Sequence, residues 1–138
     1  MAIKYGVSIT LEHAKKVAEA AEERANQIGV PMVIAILDTS GNPVLLYRMQ
    51  EALLVSIDVA INKAFTAVAN KVATHELTPL LQPGAVLYGL QNTNNNRIVT
   101  FGGGYLLMGD DEIIGAIGVS GGAVAEDMDV AEYALKAL

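Results

Sequence analysis

Apolar residues recur at helical spacing in three stretches of the chain. The first stretch follows Thr10, a residue type that favours helix N-caps, and stops at Gly29, which favours helix ends. The same periodicity predicts a second helix over about 56–72 and a final helix over about 127–138. The apolar stripe of the first helix consists of Ala14, Val17, Ala18, Ala21, Ala25 and Ile28.

Shorter apolar segments between these helices predict strands. Residues 32–37 form a continuous apolar run, typical of a strand buried on both faces, and 44–48 complete a β-hairpin with it. Further strands are predicted at 98–101, 105–108 and 113–120. This order of elements predicts an α+β fold, with an antiparallel-rich central sheet covered by helices, in a single domain of residues 1–138.

The composition predicts that copies of the chain associate. Of 138 residues, 52% are apolar and only 17% are charged, which gives more aliphatic surface than one small domain can easily bury. We therefore expect a homo-oligomer, in which part of this surface faces other subunits.

Charge and cysteine content exclude several classes of protein. The formal net charge is −6 and the cations are not clustered, so no nucleic-acid partner is expected. The absence of cysteine excludes disulfides, thiol catalysis and Cys-ligated metal centres. No segment approaches the roughly 20 apolar residues of a membrane helix, and the N-terminus lacks the apolar region of a signal peptide. We therefore expect a cytoplasmic protein without a membrane partner.

Two glycine-rich stretches, residues 102–104 and 115–122, contain neither the phosphate-binding loop nor the dinucleotide-binding fingerprint. Their bare backbone can present N–H groups to an anionic part of a ligand, or it can let a helix pack closely on the sheet. Both interpretations stay open. On the first interpretation, the candidate cofactor-binding positions are Gly102, Gly103 and Gly118.

The segment Gly118–Gly122 also matches the G-x-S-x-G pattern of hydrolases around Ser120. In that fold the histidine base follows the serine in chain order, whereas both histidines of this chain precede it. The acidic residues Asp127 and Asp129 begin the predicted final helix, where capping and the helix dipole explain them. No catalytic residues are therefore predicted.

His13 is the candidate metal ligand. With Thr10 as N-cap, it occupies the third helical position, one step from Ala14 and thus beside the apolar stripe. The positive end of the helix dipole favours a neutral imidazole, which keeps a lone pair for a metal such as haem iron. An exposed first-turn histidine without a ligand is the alternative. His75 lies in a short connector and is expected to be solvated.

An ordered set of short motifs resembles the GlcG/HbpS family, which includes the C-terminal domain of PduO. The resemblance covers nearly the whole chain, although after Arg48 relatives often have Asp-Gly-Ala where this chain has Met-Gln-Glu-Ala. The motifs are Asp38-x-x-Gly41, Arg48, Lys63-Ala-Phe-Thr-Ala67, Pro83-Gly84, Phe101-Gly-Gly-Gly104, Gly115-Ala-Ile-Gly-Val-Ser-Gly-Gly122 and Asp129-x-x-x-x-Ala134.

The resemblance implies a three-layer α/β/α sandwich that assembles into octamers or similar oligomers. It also implies non-covalent haem binding for storage or sensing, with a possible contribution to haem degradation, and His13 is similar in placement to the histidine implicated in haem-binding relatives. Two alternatives stay open. One is an enzyme that acts on haem or on a small metabolite. The other is an accessory subunit or metabolite-binding protein linked to glycerol, diol or glycolate metabolism, without haem.

Overall fold

Both helices and strands occur along residues 3–138, the part of the chain that this computed structural model describes. Within this part of the chain, three short 3-10 turns lie between residues 77 and 104. They are Thr78–Leu81, Leu90–Asn92 and Asn94–Asn96. The longer elements are β1 (Lys4–Tyr5), α1 (Leu11–Ile28), β2 (Val33–Leu37), β3 (Pro43–Arg48), α2 (Val55–Asn70), α3 (Thr74–Leu77), β4 (Gly104–Gly109), β5 (Glu112–Ser120) and α4 (Val124–Leu135).

The sheet is organised around β5, its longest strand. β5 pairs antiparallel with β4 along one edge and with β2 along the other, and β3 pairs antiparallel with β2. Only the two-residue β1 pairs in parallel, with the start of β5. The predicted antiparallel-rich sheet is confirmed, and the predicted strand at 113–120 corresponds to β5, which has a neighbour on each side.

Helices cover both faces of this sheet. In β2 the side chains of Ile34 and Ile36 pack in one cluster with α1 and α4. The alternate residues Val33, Ala35 and Leu37 pack instead with α2. Because every residue of β2 is buried, this strand is apolar without interruption, as the sequence predicts. The three-layer α/β/α arrangement is confirmed.

The ends of α1 follow the expected capping chemistry. The Thr10 hydroxyl accepts a hydrogen bond from the His13 backbone N–H at 3.1 Å. At the other end, Gly29 takes a left-handed conformation, with φ at +71°, and its N–H bonds to the carbonyls of Ala25 and Asn26. No helix within residues 3–138 is both long and apolar enough to cross a membrane.

Two sequence predictions about element boundaries are wrong. Residues 98–101 form no strand, because the Val99 N–H donates to the Thr66 hydroxyl of α2 at 2.9 Å and Ile98 packs with Leu77 and Leu81. The final helix begins at Val124 rather than near residue 127, because Glu126 caps the Ala123 N–H at 2.8 Å. Glu126, and not Asp127, thus accepts the hydrogen bond of the Ala123 N–H.

Candidate functional site

The first candidate region is the N-terminal end of α1. His13 is half-buried, and among residues 3–138 no group hydrogen bonds with its ring nitrogens. Two large apolar side chains near it in the chain face solvent, since Val7 is 88% and Leu11 51% exposed. A free imidazole beside exposed apolar side chains can bind a metal centre that carries an apolar ligand.

The second candidate region is the glycine segment 102–104, which packs tightly on α2. Gly103 has φ at +124°, and a Cβ at this position would lie 2.6 Å from Lys63 Nζ and 2.8 Å from the Val119 carbonyl. The Gly104 N–H donates to the Thr74 hydroxyl at 2.9 Å. These contacts require glycine at position 103, because a side chain would be both strained and obstructed.

Beneath this segment lies an ion pair that the sequence analysis missed. Lys63 Nζ donates to Asp127 Oδ2 and to the Val119 carbonyl, both at 2.8 Å, and lies 5.1 Å from the centroid of the Phe101 ring. Asp127 Oδ1 accepts from the Gly122 N–H at 2.9 Å. Lys63 is fully buried and Asp127 nearly so. Asp127 therefore joins α4 to α2, in addition to its position near the helix start.

Burial dominates the electrostatics of this pair. It lowers the pKa of the Lys63 ammonium, while the hydrogen bond and charge of Asp127 act in the opposite direction. Burial likewise raises the pKa of Asp127, opposed by Lys63 and by the N–H groups of Gly122 and Gly121. A sequence signal did exist, since Lys63 lies three residues after Ala60 on the buried face of α2.

Gly118 lies in the middle of β5 and faces α2. A Cβ at this position would meet the carbonyl of Ala60 and the backbone N of Ala64. This placement favours the interpretation in which glycine permits close helix–sheet packing, and it leaves no open space for a ligand on the α2 side of Gly118. The neighbouring Ser120 is buried, and its hydroxyl bonds to that of Ser56 at 3.0 Å.

Gly102 lies between a histidine and a methionine. The position of a Cβ at Gly102 is 2.7 Å from Met128 Sδ and 3.2 Å from His75 Cβ. The His75 ring packs at a tilt of 42° against Tyr105, with 5.4 Å between centroids. Its Nδ1 is buried and has no hydrogen-bond partner among residues 3–138. The expectation that His75 is solvated is therefore wrong for this atom.

The two regions are separate within one chain. Arg24 of α1 pairs with Asp129, the residue after Met128, at 3.0 Å. His13 precedes Arg24 by eleven residues, which corresponds to about 16 Å along the helix. The structure thus brings Gly102 and Gly103 together with Lys63 and α4, and it does not bring them to His13.

Proteins of known name or structure are similar to this chain in sequence and fold. The crystal structure of a PduOC–haem complex superimposes with a TM-score of 0.92 at 48% identity, covering 96% of each chain. A 15.0 kDa protein encoded between dhaT and dhaS in Citrobacter freundii is 50% identical over 93% of this chain and 90% of its own length.

Corrinoid adenosyltransferase PduO of Salmonella typhimurium is 48% identical over 132 residues, which are 96% of this chain but only 39% of PduO. The chain thus spans well under half of that enzyme. Residues 9–136 match the family model described as haem degrading protein HbpS-like. The chain therefore belongs to the HbpS-like family.

Proposed function

We propose that this protein binds haem non-covalently, with His13 as an axial ligand of the iron, in a homo-oligomer that stores or senses haem. The observation that carries the proposal is the likeness to PduOC, which was crystallised as its haem complex and matches almost the whole chain at 48% identity. Without cysteine, the side chains able to bind haem iron are those of His, Met and Tyr.

The residues around His13 fit such a ligand. The ring has no competing hydrogen bond within residues 3–138, and the side chains of Val7 and Leu11 offer exposed apolar contact to a porphyrin. Lys16 lies one helical turn after His13 on the same side of α1 and can pair with a propionate. When bound, haem supplies an iron centre, while His13 donates its lone pair and Leu11 excludes water from the porphyrin face.

Exposed apolar surface elsewhere on the chain supports an oligomeric site. Apolar side chains are also exposed far along the chain from His13, in a segment without charged residues between Leu77 and Asn96. Such patches are typical of subunit interfaces. The large apolar residues exposed by at least half of their surface are Val7, Leu11, Leu53, Leu54, Val55, Val86 and Tyr88.

Titration with hemin tests the haem proposal. We expect the wild-type protein to develop a Soret band, and the His13→Ala variant to lose or blue-shift it. His75→Ala is the matched control, because His75 is the other histidine and lies in the second region. An unchanged spectrum and affinity in His13→Ala would contradict the ligand assignment. A wild-type protein that binds no hemin would overturn the haem proposal as a whole.

Sedimentation tests the homo-oligomer. At micromolar concentration we expect a species several times heavier than the 14.5 kDa chain. Replacing exposed Leu54 by Glu is expected to shift the distribution towards smaller species, because a charge then enters an apolar interface. A wild-type protein that sediments as a monomer would contradict the proposal.

A second function is favoured by the position of one relative's gene. The C. freundii protein lies between dhaT and dhaS, and PduO is named as a corrinoid adenosyltransferase. An accessory subunit for glycerol or diol metabolism would co-purify with an enzyme of that metabolism and show no Soret band after hemin addition. Haem binding with a His13-dependent spectrum would favour the first function instead.

A further inference from the structure

His75 presents a polar atom that the fold does not satisfy. Within residues 3–138, its Nδ1 is the one buried side-chain nitrogen or oxygen that lacks a hydrogen-bond partner. Leaving such an atom unpaired is unfavourable, so an unmatched buried group points to a partner supplied from outside the chain. The Nε2 atom of the same ring also lacks a protein partner but is not buried, so water can accept its proton.

A thioether lies beside this imidazole. Met128 Sδ and His75 Cβ are 2.7 and 3.2 Å from the same point, the Cβ position of Gly102, which places them within about 6 Å of each other. The absence of a side chain at Gly102 is what allows this approach, since a Cβ there would displace the sulfur. Both residues are partly exposed, but the Nδ1 atom itself is buried, so binding of an ion requires a small movement of a neighbouring side chain such as that of Met128.

The surroundings favour a cation over an anion. Tyr105, against which His75 packs, donates its hydroxyl to Glu132, and the carboxylate of Glu76 lies close enough to act on the same hydroxyl. The ammonium of Lys63, which lies under the adjacent Gly103, is already paired with Asp127. Two carboxylates therefore lie near the imidazole, where they attract a cation.

We propose that His75 Nδ1 and Met128 Sδ bind a Cu(I) ion beneath Gly102. A neutral imidazole and a thioether form a soft ligand set, which selects Cu(I) over harder cations. Cu(I) accepts a site with two ligands. Among residues 3–138, no group of three His, Asp or Glu side chains converges to hold a metal. The proposal does not depend on haem, because His13, the proposed haem ligand, lies in the first turn of α1, away from Gly102.

Competition for Cu(I) with a chromophoric chelator, under ascorbate and without oxygen, tests this site. We expect wild-type protein to withdraw one Cu(I) per chain from the chelator. Met128→Leu and His75→Phe keep the size and apolar packing of the side chains but remove the donors, and each is expected to weaken binding at least about tenfold. Met108→Leu is the matched control, because Met108 packs in the cluster on the α2 side of the sheet.

The outcomes separate this site from the haem site. His13→Ala should keep Cu(I) binding, and His75→Phe should keep the Soret band with hemin. X-ray absorption of the wild-type Cu(I) complex should show one nitrogen and one sulfur ligand, a result that does not require the variants to fold. A spectrum without sulfur, full affinity in both Met128→Leu and His75→Phe, or failure of the wild type to compete would each overturn the proposal.

Discussion

The N-terminal end of α1 and the buried ion pair of Lys63 and Asp127 differ in how their polar groups are satisfied. At the N-terminal end of α1, the open end, His13 is half-buried and its ring makes no hydrogen bond within the described residues, while Leu11 beside it faces solvent. At the ion pair, the closed end, which joins α2 to α4, Lys63 and Asp127 are buried and bonded to each other and to backbone. The open end is available to a ligand or a subunit, whereas the polar groups of the closed end bond within the chain.

This difference separates the glycines and charges that stabilise the fold from the residues that are available for function. In sequence, the two glycine-rich stretches resemble a ligand-binding loop. In the structure, however, Lys63 fills the space beside Gly103, and the backbone of α2 fills the space beside Gly118. Buried ion pairs contribute little net stability compared with apolar residues, but breaking one leaves a buried charge without a partner. Substitutions at the closed end should therefore act on stability, and those at the open end on binding.

The largest expected effect is at the buried ion pair. Asp127→Asn should lower the free energy of unfolding by roughly 3–5 kcal/mol, because the Lys63 ammonium stays buried without its countercharge. Chemical denaturation measures this loss. Asp129→Asn is the matched control two residues further along α4, since it breaks the partly exposed pair with Arg24 and should cost far less. Equal losses in the two variants would show that the ion pair of Lys63 has no special role.

A smaller effect is expected where α2 approaches β5. Gly118→Ala should cost about 3 kcal/mol, at the upper end of the range for overpacking, because the new Cβ meets rigid backbone at Ala60 and Ala64. In Gly109→Ala the new Cβ would lie 2.9 Å from the Ile114 Cγ2, a side-chain atom that can move, so the cost should be lower. Thermal unfolding of both variants checks this order, and the reverse order would contradict the close contact at Gly118.

The cap of α1 lies at the open end and should matter less. Thr10→Ala removes the acceptor of the His13 N–H and should cost about 1 kcal/mol. Thr10→Ser keeps the hydroxyl and should restore nearly all of this stability. Because the cap also fixes the first turn that carries His13, Thr10→Ala is expected to weaken hemin binding in the same titration. Full stability in Thr10→Ala would mean that the helix end is held by other contacts.

The fold was predictable wherever one local signal decided the outcome. The stripe of α1 with Thr10 and Gly29, and the unbroken apolar run of β2, each specify an element without reference to the rest of the chain. Residues 98–101 carry a strand-like composition, but the partner of the Val99 N–H is a hydroxyl on α2, which no local pattern reveals. The two-residue β1 is too short to leave a periodicity.

The chemistry of the closed end was less predictable because it depends on long-range contacts. Lys63 and Asp127 are 64 positions apart, and each has an ordinary local explanation as a solvated helix residue or a helix cap. The spacing of Lys63 from Ala60 on α2 was the available signal. His75 and Met128 share no motif, and only the folded position of Gly102 shows that they are neighbours.

The smallest effect on stability is expected at His13. This residue best distinguishes a role in binding from a role in stability. His13→Ala should change the free energy of unfolding by no more than about 0.5 kcal/mol, since the ring makes no hydrogen bond within the described residues and its loss opens no buried cavity. Denaturation and hemin titration on the same sample measure both properties. A stable variant that has lost its Soret band would assign His13 to binding alone, whereas a loss of several kcal/mol would place His13 in the packing of α1.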